Sequence, residues 1–100
     1  MALNKWGFVY TLGPDAAVER RDEIGSEGCR LVAVGVLDVS GAAHAAEELA
    51  KSGCELIEFC GAFGAAAMAE VLDAVGGRDV PVGVVSYGGD AATGLHRIFG

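Results

Sequence analysis

Apolar residues recur along the chain in four short runs: Trp6-Gly7-Phe8-Val9-Tyr10, Leu31-Val32-Ala33-Val34-Gly35-Val36-Leu37, Leu56-Ile57-Glu58-Phe59-Cys60 and Val82-Gly83-Val84-Val85-Ser86-Tyr87. They start close to positions 6, 31, 56 and 81, and the same spacing lays Gly28-Cys29-Arg30-Leu31-Val32 on Gly53-Cys54-Glu55-Leu56-Ile57. A unit of that length holds one strand and one helix. The runs are nearly continuous rather than alternating, as in strands that helices cover on both faces, so the pattern predicts four parallel strands.

Between the runs the period changes to that of helices. The polar stretch from Ala16 to Ile24 is read as a first helix, with Val18 and Ile24 on one side and Glu19, Arg20, Asp22 and Glu23 in water, stopped by Gly25 and Gly28. Ser40 is placed to cap a second helix from about Gly41 to Lys51, with Ala42, Ala45, Ala46 and Leu49 inward and His44, Glu47, Glu48 and Lys51 outward. A third runs from about Ala62 to Val75, burying Ala65, Met68, Val71, Leu72 and Val75, and ends at Gly76-Gly77. Past Tyr87, the stretch from Gly88 to Gly94 reads as a flexible tail, leading to Ile98 and Phe99, which are expected to dock on this subunit or a neighbour.

A β-α-β-α-β-α-β chain with right-handed crossovers forms a single α/β domain over residues 1–100. The expected architecture is a three-layer sandwich on a four-stranded parallel sheet of order 2-1-3-4, a truncated flavodoxin-like arrangement. A half-barrel of order 1-2-3-4 is the alternative. In the first arrangement the order reverses between strands 1 and 3. The ligand crevice is then expected between Thr11-Leu12-Gly13-Pro14-Asp15 and Cys60-Gly61-Ala62-Phe63-Gly64, rimmed by Asp38 and Tyr87-Gly88-Gly89-Asp90.

Composition narrows the classes of function. The 100 residues include 52% hydrophobic and 21% charged side chains, which suits a packed core and excludes disorder as the main state. Seven basic against fourteen acidic residues give a formal charge of −7, so nucleic acid is not an expected partner. The apolar stretch from Phe59 to Ala69 is about half of the ~20 residues a membrane helix needs, and no leader pattern opens the chain, so a cytoplasmic protein with no membrane partner is expected. Cys29, Cys54 and Cys60 are odd in number and lack zinc-site spacing, which points to reduced thiols, with Cys29 and Cys54 as small buried hydrophobes.

Candidate chemistry concentrates in the third run. Glu58 sits inside an apolar strand, where a carboxylate must be paired, hydrogen-bonded or protonated, and Cys60 shares its face. A carboxyl held protonated by burial suits general acid or base work, while a thiol just before a helix N-terminus is favoured as thiolate. Glu58 and Cys60 are therefore the candidate catalytic residues. Against this stands a structural role for Glu58, capping backbone N–H groups or pairing with a cation such as Arg97. Thr11, Gly61, Phe63, Gly64, Tyr87 and His96 are the candidate ligand-binding residues, with the Gly61 to Gly64 amides suited to a small anion. Loop carboxylates Asp15, Asp38 and Asp90 are read as solvated, and neither a metal nor a cofactor is expected. G-x-G-x-x-G, G-x-x-x-x-G-K-[ST] and G-x-S-x-G motifs are all missing. So are the acidic residues of a phosphorelay receiver and the Arg of a phosphatase thiolate loop.

The run Ile57-Glu58-Phe59-Cys60-Gly61-Ala62-Phe63-Gly64, followed by Val80-Pro81-Val82-Gly83-Val84-Val85, resembles a family of bacterial proteins of about this length known as a domain of unknown function. The resemblance spans nearly the whole chain, with Glu-x-Cys-Gly-x-Phe-Gly as its most specific part. It implies the fold and the importance of this segment, and it carries over no catalytic residue. Three functions are open at this point: a cofactor-independent enzyme doing acid/base chemistry on a small anionic or carbonyl metabolite, a small-molecule-binding or regulatory module without turnover, and an assembly protein. Because a small sheet leaves two edges and the helices are Ala-rich, a homo-oligomer is expected.

Overall fold

A computed structural model describes residues 2–100 and contains five strands and three helices. The strands are β1 (Lys5–Thr11), β2 (Arg20–Ser26), β3 (Cys29–Val36), β4 (Ile57–Phe59) and β5 (Val82–Val84); the helices are α1 (Ala42–Lys51), α2 (Ala65–Val75) and α3 (Ala92–Phe99). Short 3-10 turns at Val39–Gly41 and Gly89–Ala91 lead into α1 and α3. The sheet order is β2-β3-β1-β4-β5, with every neighbouring pair parallel except β2 and β3.

The expected four-stranded sheet is thus corrected to five strands, because the segment read as a first helix is the edge strand β2. The glycines taken as a helix stop are hairpin signals. Ser26 faces Cys29 across a two-residue Glu27-Gly28 loop, and the Cys29 amide donates to Ser26 Oγ at 3.2 Å. Gly25 has φ +111°, and a Cβ there would lie 2.4 Å from the Cys29 carbonyl oxygen, so this turn admits no side chain. Arg20, Arg21, Asp22 and Glu23 then make a charged edge, which discourages further strand pairing.

This change removes a layer. The crossovers β3-α1-β4 and β4-α2-β5 run the same way across the sheet, so right-handed connections put both helices on one face. The return from β1 to β3 passes through the β2 hairpin and brings no helix to the other face. Val9, Val32, Val34, Val36, Ile57 and Phe59 point towards the helices and form the core with Ala42, Ala45, Ala46, Leu49, Cys54, Phe63, Val71 and Val75. Alternation sends Trp6, Phe8, Tyr10, Leu31 and Ala33 to the opposite face, where all five are only half-buried. Two packed layers replace the expected three.

The packed face is close because its contact residues are small. α1 buries Ala42, Ala45, Ala46 and Leu49, the stripe that its spacing predicts, and Leu49 fills the space that Gly7 leaves open on β1. A Lys51 to Glu47 ion pair of 2.8 Å lies on its outer side, and Gly53, at φ +94°, turns the chain away. Asp38, not Ser40, opens this segment: its carboxylate accepts from the Ser40 amide at 2.9 Å and from the Ser40 hydroxyl. α2 begins at Ala65 rather than Ala62 and buries Val71 and Val75, while Leu72, expected inside, is 56% exposed. The tail beyond Gly88 is the 3-10 turn and α3, not an irregular segment, and Ile98 and Phe99 are exposed at 69% and 81%.

Candidate functional site

The carboxyl ends of β1 and β4 open into a crevice of about 710 Å³, bordered on its outer side by α3 and open to solvent. Thr11, Cys60, Gly61, Ala62 and Tyr87 line the sheet side, and Leu95, His96, Phe99 and Gly100 line the α3 side. The ladder explains this placement. Gly7 to Val9 pair with Ile57 to Phe59, and the Cys60 amide then donates to the Val9 carbonyl at 2.9 Å, so Cys60 is held at the last rung beside Thr11. The Val85 amide donates to the Phe59 carbonyl at 2.8 Å and carries β5 along the other side of β4, which delivers Tyr87 to the rim.

Past Cys60 the chain turns before α2, and the Phe63 amide donates back to the Cys60 carbonyl at 3.3 Å. Among the described residues the Gly61 and Ala62 amides have no protein acceptor, and both residues line the crevice. Gly61 also answers a close approach: a Cβ there would lie 3.3 Å from the Tyr87 ring and 3.4 Å from the Val85 carbonyl oxygen. The polar groups of the crevice are therefore one hydroxyl, one thiol, two amides, a phenol and an imidazole, set between apolar side chains. That combination suits an organic molecule with an apolar body and an oxygen-bearing head.

The residues named from the sequence divide into two groups. Thr11, Cys60, Gly61, Tyr87 and His96 come together in the crevice. Phe63 does not; it is 3% exposed and packs edge-on against Phe59, the ring centres 5.0 Å apart and the planes at 75°. Gly64 opens α2 in extended conformation without lining the cavity. Glu58 is neither buried nor in the crevice. It is exposed on the helix-free face of the sheet, level with Phe8 on β1 and Gly83 on β5, and among the described residues its carboxylate has no ion pair or hydrogen bond, to Arg97 or any other group. The expectation of a buried carboxylate is corrected for a plain reason: the layer that would have buried it is absent.

Ala62, Leu95, Phe99 and Gly100 also line the crevice, although the sequence pattern does not single them out as ligand-binding residues. The signal that would have found two of them is the i, i+3, i+4 spacing of Leu95, Ile98 and Phe99, masked by the glycines that precede it.

All three cysteines are free. Cys54 is buried, and desolvation pushes its thiol pKa up, with the Ser52 hydroxyl 3.9 Å away; Cys29, expected inside, is exposed at the hairpin. The Ser40 hydroxyl and amide hold the Asp38 carboxyl below its ordinary value, so this carboxylate is committed to the turn before α1. Asp15 and Asp90 fold back over Gly13 and Gly88 of their own turns. Among the described residues no group of three or more His, Cys, Asp or Glu side chains is placed to hold a metal ion, and no helix is long and apolar enough to cross a membrane. Glu55, unlike Glu58, has a clear structural role. Its Oε1 accepts from the Asn4 and Lys5 amides at 2.8 and 3.0 Å and ties the start of β1 to the approach to β4.

These features define a small α/β protein with a mostly parallel sheet, α1 and α2 packed on one face, and a crevice at the carboxyl ends of its central strands. The chain belongs to a family of unknown function, DUF6506, whose model matches residues 4–100. No curated protein and no solved structure matches it.

Proposed function

We propose that the crevice binds a small organic molecule with a carboxylate or carbonyl head and an apolar body, and that the chain works as a binding or regulatory module. The observation that carries this reading is the crevice lining itself. The Gly61 and Ala62 amides and Thr11 can hold the head by hydrogen bonds, while Leu95, Phe99 and the Tyr87 ring enclose the body. The position of Glu58, outside the crevice, favours binding over proton chemistry by that carboxylate. A second reading has one observation behind it: Cys60 and His96 share the cavity, and a thiol with an imidazole can move protons on a bound carbonyl compound.

A thermal-shift screen of small carboxylates and carbonyl compounds tests both. A ligand at 100 times its Kd stabilises by about 2.7 kcal/mol, a readable rise in Tm. The rise is expected to shrink in Thr11→Val and His96→Ala. Recovery of the compound unchanged, followed by NMR, supports the binding module; its conversion, lost in Cys60→Ala or His96→Ala and kept in Glu58→Gln, supports the second reading. A Tm rise that survives both crevice substitutions overturns the site.

A further inference from the structure

The face of the sheet that carries no helix is the largest feature the crevice leaves unexplained. Trp6, Phe8 and Tyr10 of β1 stand on it beside Leu31 and Ala33 of β3, with Ile24 of β2 at the edge, 56% exposed. Three charged side chains share the face: Arg20 and Asp22, joined at 2.6 Å, and the unpaired Glu58. Tyr10 lies over Gly35, where a Cβ would meet its ring at 2.9 Å. Half-buried aromatic side chains beside an exposed Ile24 form one contiguous apolar surface, which marks an interaction site rather than scattered exposure.

We propose that this face is covered by a second copy of the chain, packed sheet to sheet about a two-fold axis. The area is of the order that such a pair needs. Five strands at ~4.8 Å spacing and up to seven residues at ~3.3 Å give a face of roughly 400–500 Å² in projection. With side-chain relief this approaches the ~800 Å² that each partner contributes to a stable interface. Charge favours the same occupant. The chain carries a formal −7, so two copies repel wherever acidic surfaces meet, and this face concentrates apolar side chains with a nearly balanced set of charges. A nucleic-acid partner finds no positive surface there.

The two faces also fit each other. Sheets that pack face to face keep their strands aligned to within about 30°. A two-fold axis parallel to the strands, passing between β3 and β1, lays β1 of one copy over β3 of the other and β4 over β2. Phe8 then meets the low position at Ala33 of the second copy. Glu58 comes level with Asp22 of the second copy, beside the guanidinium of Arg20, which has N–H groups left over after its two bonds to Asp22 and can bridge the two carboxylates. The carboxylate without a partner in the single chain gains one in the pair.

Sedimentation equilibrium of the full chain at about 100 μM, well above a micromolar Kd, reads the state directly. The expected mass is twice the 10.1 kDa of one chain. Ile24→Glu, at an exposed edge position where folding is not at stake, is expected to weaken the pair at least about tenfold. Glu58→Arg and Arg20→Glu are each expected to weaken it, and the double exchange to restore it, with circular dichroism confirming that every variant is folded. A wild-type mass of one chain overturns the proposal. So does a dimer that Ile24→Glu leaves intact while Phe99→Asp dissociates it, since that result moves the interface to α3.

Discussion

Val9 and Phe8 are neighbours on β1, yet Val9 has no exposed surface and Phe8, pointing the other way, keeps part of its ring in water. The same division holds across the sheet: Val32, Val36, Ile57 and Phe59 are fully covered by α1 and α2, while Trp6, Tyr10, Leu31 and Glu58 stand on the helix-free side. Both sides are rich in apolar residues, so hydrophobicity alone does not distinguish them. The difference lies in the connections. Two crossovers of one hand supply helices to one face, and the hairpin that replaces the third leaves the other to whatever meets it from outside.

The largest effect that separates the two faces is expected from Phe59→Ala, which empties a fully buried site against Phe63. It should cost about 3–5 kcal/mol, read as a lower urea midpoint with an unchanged m-value. A loss below about 1 kcal/mol would mean that the helix-covered face is not the core.

Glycine-to-alanine substitution gives a more pointed contrast, because one chemical change should have opposite signs on the two sides. At Gly7 the new methyl would lie 2.8 Å from a Leu49 methyl carbon, and Leu49 is fully buried with nowhere to move. Gly7→Ala is expected to destabilise by about 1–3 kcal/mol, and by less when Leu49 is shortened to Ala in the same chain. At Gly83, on the helix-free side, nothing lies within 4 Å of a new methyl and φ is not in the left-handed region. Gly83→Ala is expected to stabilise by about 0.4–1 kcal/mol by restricting the unfolded chain. Destabilisation there would show that this side is already occupied at β5.

The smallest effect is in acid. Asp38 has its folded-state pKa lowered, chiefly by the hydrogen bond from the Ser40 hydroxyl, and Glu47 has its own lowered by Lys51. The native state therefore holds fewer protons than the unfolded chain as these carboxyls titrate. Their contribution is present above the unfolded values, 3.8 and 4.5, and is lost as pH falls through the lower folded values. Both groups are exposed, so the loss is small. In Ser40→Ala the Asp38 carboxyl, followed by NMR, should titrate closer to its ordinary value; no change would mean that the Ser40 hydroxyl does not hold the turn before α1.

Much of the framework is legible in the residues. Continuous apolar runs at a regular spacing mark β1, β3, β4 and β5, and the Ala-and-Leu stripe marks the inner side of α1, because both signals are local and repeat with the period of the element. The crevice segment is legible too, as the turn after the run that ends in Cys60. Other parts are not. Arg20 to Ser26 contains almost no apolar signal, so its strand exists only through pairing with β3, and Gly25 and Gly28 punctuate a hairpin as readily as a helix end. The amphipathic stretch Leu95 to Phe99 is short and follows three glycines, which hides α3.

Glu58 shows where the boundary between the two kinds of information falls. Alternation along a strand is set by backbone geometry, so the order of residues alone dictates that Glu58, Phe8 and Gly83 share one side and Val9 and Phe59 the other. Which side becomes interior depends on where the crossovers put their helices, and that follows from sheet order and handedness, properties of distant segments in contact. A carboxylate in an apolar run is buried only if a second layer arrives to bury it. In this chain none does among the described residues, and the fold turns an expected interior acid into an unpaired charge on an open apolar face.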